Sequence, residues 1–109
     1  MDKPVERILP AARCQTMTDI REQIDRLDRA LVAMVAERQS YIERAAEIKK
    51  DRNVVRDEAR IADVLTKVTA EARRHGLQES IARDTWIAMM EACIAHEFVC
   101  FDAIAQRPK

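Results

Sequence analysis

Apolar residues recur in steps of three and four through most of this 109-residue chain, the repeat of an α-helix with one buried face. From Ile20 the stripe runs Ile20, Ile24, Leu27, Leu31 and Met34, and its next positions are Arg38, Tyr41, Ala45 and Lys49. A second stripe of Val32, Val35, Ile42 and Ala46 lies beside it. Thr16 with Asp19, or Asp19 with Glu22, predicts a capped start, and nothing breaks the pattern before about Lys50. Asp51-Arg52-Asn53 reads as a turn. A second helix is predicted from Arg56-Asp57, with Ile61, Val64, Leu65, Val68 and Ala72 facing inward. It stops at Arg73-Arg74-His75-Gly76, with cations in the last turn and the chain's single glycine at the end. Gln78-Glu79-Ser80 opens a third helix, from about Ile81 to Ala105, carrying Ile87, Met90, Ile94, Glu97, Phe101 and Ile104. Residues 1–17 hold two prolines and no period and read as a loose extension, leaving 18–107 as one helical domain. The expected fold is all-α, a three-helix protomer with one long N-terminal helix.

Helix length has a consequence for assembly. About 30 residues make a rod of about 45 Å, whereas a compact monomer of this size has a radius of gyration of about 13 Å. Two shorter helices cannot cover both stripes of such a rod. A second copy of the chain is the natural cover, so the pattern predicts a homodimer with intertwined long helices.

Composition narrows the function classes. Nineteen basic and 19 acidic residues cancel, so no basic footprint for nucleic acid or an anionic membrane exists. One glycine and 4% aromatic residues argue against a sheet with tight turns. No apolar run is long enough for a signal peptide or a membrane span. Cys93 and Cys100 are seven residues apart on one predicted helix, about 10 Å along its axis, too far for a disulfide. Reduced thiols and a cytoplasmic location are expected.

The charges inside the apolar stripes carry the candidate chemistry, because a buried charge is costly unless paired. Arg38 and Lys49 are eleven residues apart, three turns, so they share a face at about 16 Å along the axis. A planar guanidinium fork and a mobile ammonium at that spacing suit a small dianion held end to end. The structural alternative pairs Arg38 with Glu37 or Asp57 and lets Lys49 reach the surface; Lys50 is an equal candidate for the inward position. On either cation's removal, stability is expected to fall little or to rise, since an unpaired buried cation disappears. Arg21, three residues before Ile24, also faces inward but lies about 25 Å from Arg38. In an antiparallel dimer it serves the partner's Arg38–Lys49 pair. Glu97 interrupts the third stripe as a salt-bridge partner of Arg38 or Lys49, or as a proton or hydrogen-bond donor beside a dianion. Trp86, Met89 and Met90 read as core. Neither His75 nor His96 is read as having a metal-ligand companion at i+4, and neither CxxC spacing, a glycine-rich phosphate loop nor a nucleophile elbow is present. No metal is expected.

The segments Ile20-Arg21-Glu22-Gln23-Ile24-Asp25-Arg26-Leu27-Asp28, Ala36-Glu37-Arg38, Ile48-Lys49 and Val55-Arg56-Asp57-Glu58-Ala59-Arg60 closely resemble the all-α (AroQ-class) chorismate mutase family over roughly Thr18 to Gln106. The resemblance implies an intertwined dimer with two active sites, each borrowing Arg21 from the other chain. It implies Arg38, Lys49, Glu97 and Arg21 as catalytic residues, with Asp57, Arg60, Ile61 and Cys93 also at the substrate. The family reaction is the Claisen rearrangement of chorismate to prephenate in aromatic amino acid biosynthesis, which needs no nucleophile, metal or cofactor. Arginines on the two carboxylates hold a chair-like conformer, and Lys49 with a third-helix donor reaches the ether oxygen. Two positions depart from the common pattern. The usual third-helix donor is Gln, whereas Glu97 must carry a proton to donate. After Arg60 the well-known mutases carry a Glu that binds the ring hydroxyl, and here Ile61 stands. The related isochorismate-pyruvate lyases of salicylate synthesis also have an apolar residue there, yet Arg56-Asp57 is more mutase-like, and Asp57 offers another carboxylate for the hydroxyl. The mutase is the preferred reading. The lyase, a mutase for an amino-substituted chorismate, and a non-catalytic metabolite-binding dimer are the alternatives.

Overall fold

A computed structural model describes residues 7–107. Among these residues it contains three α-helices and no strand: α1 Met17–Ile48, α2 Glu58–His75 and α3 Glu79–Ala105. Single 3-10 turns lie at Ala11–Arg13 and Arg52–Val54. The fold is all-α, with helix ends within about two residues of those the apolar period predicts. The chain divides into two compact units, the first ending at Arg38 and the second beginning at Gln39.

In the first unit, the start of α1 is fixed by a reciprocal cap. Thr16 Oγ1 accepts from the Asp19 N–H at 3.1 Å, and Asp19 Oδ2 accepts from the backbone N–H groups of Thr16 and Gln15. Those bonds, the Gln15 one foremost, hold the Asp19 carboxyl below its usual range. The expected extension is described only from Arg7 onward; its first six residues lie outside the described part. From Arg7 the chain is tied to α1, because Gln23 Nε2 donates to the Arg7 carbonyl at 2.7 Å. The apolar stripe of this unit is open within the single chain: Ile24 and Leu27 are each 50% exposed, Leu31 56% and Met34 68%. Val32 and Val35, on the second stripe, are exposed as well.

In the second unit α2 packs on α3. Ile61, Val64, Leu65 and Val68 are half-buried and Ala72 is buried, as the spacing predicts. From α3, Ala82 and Met90 are buried, with Trp86, Met89 and Ile94 half-buried around them. Asp57 caps α2 through Oδ1, which accepts from the Arg60 N–H at 3.0 Å. Gly76 ends it in the left-handed region at φ 72°, where a side chain would be strained. The Leu77 N–H then returns to the Ala72 carbonyl at 2.8 Å, closing a Schellman-type stop. No helix among the described residues is long and apolar enough to cross a membrane.

Candidate active site

Glu97 is the one charged side chain buried among the described residues, with 4% of its surface exposed. The α3 period turns it inward, and a buried carboxylate requires a partner. Lys49 supplies it. The backbone N–H of Lys49 still bonds to the Ala45 carbonyl, so the last turn of α1 aims this side chain at α3. Lys49 Nζ lies 2.7 Å from Glu97 Oε2 and donates a second bond to the Val55 carbonyl at 3.3 Å. Val55 is itself buried at the end of the 3-10 turn. Lys49 is therefore the inward residue, while Lys50 is exposed. An ammonium has three N–H donors, and two are used, leaving one for a ligand beside the pair.

The segment between α1 and α2 is fastened to α3 at two points. Arg56 grips Glu91 with both terminal nitrogens, at 3.0 and 2.7 Å, while its Nε bonds Glu58 at 2.6 Å. The guanidinium is thereby raised above its ordinary value, chiefly by Glu91, and the Glu91 carboxyl is lowered by Arg56. Arg52 bonds Asp102 through Nε at 2.9 Å and lies 4.5 Å from the centre of the Phe98 ring. Neither clamp was expected from spacing, because their partners are 35 and 50 residues apart. Both hold the segment that carries Val55 and Asp57.

The remaining expected site residues are placed as follows. In the second unit, Ile61 and Cys93 are half-buried. Asp57 has committed Oδ1 to capping α2. Arg60 is exposed and paired with Asp63 at 2.6 Å, a weak surface pair that a ligand can replace. Arg21 and Arg38 belong to the first unit; Arg21 is exposed, and Arg38 is half-buried and already engaged.

One finding corrects the histidine reading. His96 does have a ligand-type neighbour at i+4, because Cys100 Sγ lies 3.6 Å from its Nε2. Glu43 Oε2 of α1 approaches the same nitrogen at 2.7 Å. The i, i+4 spacing of His96 and Cys100 is local to α3 and visible in the sequence.

No curated protein matches the chain significantly. The family model described as chorismate mutase type II matches residues 20–98, from the first stripe of α1 to just past Glu97. With its all-α fold and a match over well more than half its length, the chain belongs to the chorismate mutase type II family.

Proposed function

We propose that the chain is a chorismate mutase, converting chorismate to prephenate in a homodimer whose sites are completed across the interface. The observation that carries the reading is the pairing of half-buried Lys49 with buried Glu97, 2.7 Å apart and supported by the Val55 carbonyl. In the rearrangement a carbon–oxygen ether bond breaks as a carbon–carbon bond forms, and negative charge grows on the ether oxygen. The third N–H of Lys49 meets that oxygen from one side, and a protonated Glu97 donates from the other. Preorganised donors aimed at developing charge are the largest source of acceleration available without a nucleophile. Arg38 and the partner subunit's Arg21 hold the two carboxylates and so select the reactive conformer. In this proposal Asp57 is offered to the ring hydroxyl, and Arg60 and Cys93 are further substrate contacts.

The open apolar stripe of α1, with Leu31 56% and Met34 68% exposed, supports the dimer. A contiguous apolar face of this length on a single chain marks an interaction surface. Reduced cysteines and a cytoplasmic setting belong to the same proposal; no disulfide joins Cys14, Cys93 and Cys100.

Ile61 favours a second reading, isochorismate-pyruvate lyase, because a half-buried apolar side chain stands where the mutases carry a hydroxyl-binding Glu. The purified chain offered chorismate and isochorismate separately decides between them. Prephenate from chorismate supports the mutase, salicylate plus pyruvate from isochorismate supports the lyase, and turnover of neither rejects both.

A further inference from the structure

A second cluster of reactive side chains shares no residue with the Lys49–Glu97 pair. Glu43 Oε2 lies 2.7 Å from His96 Nε2, Cys100 Sγ lies 3.6 Å from that nitrogen, and the three ligand atoms all fall within 4.8 Å of one another. All three residues belong to the second unit. We propose that Glu43, His96 and Cys100 form a binding site for one divalent cation of the zinc class.

The donor set selects the metal. A thiolate with an imidazole suits Zn2+ and its transition-metal neighbours, whereas Mg2+ and Ca2+ take oxygen ligands. Zinc bonds of about 2.0–2.1 Å to nitrogen and about 2.3 Å to sulfur at a tetrahedral angle put N and S about 3.6 Å apart. His96 and Cys100 already stand at 3.6 Å. The carboxylate oxygen must withdraw from 2.7 Å to about 3.4 Å from the nitrogen. That small movement replaces the Glu43–His96 contact with the ion.

The backbone supplies this convergence. His96 and Cys100 are neighbours at i and i+4 on one face of α3, and Glu43 comes from a different helix, so the ion would tie α1 to α3. Gln39 Nε2 donates to Glu43 Oε2 at 3.2 Å and helps to orient it. With side chains 40% and 41% exposed at His96 and Glu43, an ion can reach the site and a water can fill the fourth position. Binding requires the thiolate, so loading releases the Cys100 proton to solvent. One thiolate and one carboxylate then balance the two positive charges.

The test titrates the full-length, reduced, chelator-stripped protein with Co2+ and then Zn2+, and it stands whether or not chorismate is turned over. The expected result is one Co2+ per chain, with an intense near-ultraviolet thiolate band and the visible bands of a four-coordinate ion, all lost when Zn2+ is added. Cys100→Ser abolishes the thiolate band, and Cys14→Ser keeps it. Glu43→Gln, at a partly exposed position that tolerates the change, weakens Zn2+ binding by about tenfold or more, since even the outer partners of metal ligands count for about 10–100-fold. Absence of a thiolate band from the wild-type protein overturns the assignment. So does a band that survives Cys100→Ser but not Cys93→Ser, or an affinity unchanged in Glu43→Gln. In each of those cases the Glu43–His96 contact is a hydrogen bond and not part of a three-residue metal site.

Discussion

Removing Lys49 separates what the pair does for folding from what it does for catalysis. Read as an unpaired cation in an apolar stripe, Lys49 looks dispensable to the fold. With Glu97 at 2.7 Å and 5% side-chain exposure, Lys49→Ala instead strands a buried carboxylate. Breaking a fully buried pair costs about 3–5 kcal/mol, and an exposed pair about 0–1 kcal/mol. The Lys49 side chain is 28% exposed, so water partly replaces it and the expected loss is about 1–3 kcal/mol. Glu97→Gln should cost less, about 1 kcal/mol, because the remaining ammonium hydrates more readily than the carboxylate. The double variant Lys49→Ala with Glu97→Gln removes both charges and should recover part of the loss, a coupling of about 1–2 kcal/mol. Urea unfolding at one fixed protein concentration measures all four proteins, since a dimer's apparent stability moves with concentration. Catalysis should respond more strongly. Lys49→Ala should lower kcat/KM at least about a hundredfold, about 2.7 kcal/mol of barrier, in a protein that remains folded. Coupling below about 0.3 kcal/mol would show that the two side chains ignore each other in solution, and near-normal kcat/KM would leave the pair purely structural.

Mixing Arg21→Ala with Lys49→Ala chains should restore activity through heterodimers in which one of the two sites is intact; no recovery after verified subunit exchange would remove Arg21 from the partner's site. Glu97→Gln keeps a hydrogen-bond donor at that position and should retain kcat/KM, and an inactive variant would make Glu97 a structural partner of Lys49. Asp19, Glu43, Asp63 and Glu91 are each held below the usual carboxylate range, by the Gln15 N–H, His96, Lys67 and Arg56 respectively as the leading causes. Their native forms bind protons less readily than the unfolded chain does. The stability they contribute is therefore full above the ordinary range near 4 and is lost as pH falls through their lower native values. The unfolding midpoint should drop between about pH 5 and pH 2, less steeply in Glu91→Gln; a midpoint that ignores pH there would contradict the sign.

The helices were legible because their signals are local. Period, capping box, Asp57 before α2 and Gly76 after it each act within about four residues. The inward position of Glu97 was also legible, since period alone places it between Ile94 and Phe101. The choice between Lys49 and Lys50 was not, because one residue at a helix end rotates a side chain by about 100°, and the Val55 carbonyl that fixes Lys49 comes from the following turn. The Arg56–Glu91 and Arg52–Asp102 clamps depend on how α3 returns past the 3-10 turn, which no spacing encodes. Two of the three members of the Glu43–His96–Cys100 cluster lay in plain view at i and i+4. Its third member, 53 residues away, needed the fold.

The most direct measurement is a crystal structure of the protein bound to a non-reactive bicyclic diacid shaped like the chair-like transition state. The account predicts its ether oxygen within about 2.7–3.2 Å of Lys49 Nζ and of the Glu97 carboxyl, with its carboxylates on Arg38 and the partner subunit's Arg21. A diacid bound elsewhere, with Lys49 and Glu97 still joined only to each other and the Val55 carbonyl, would contradict it.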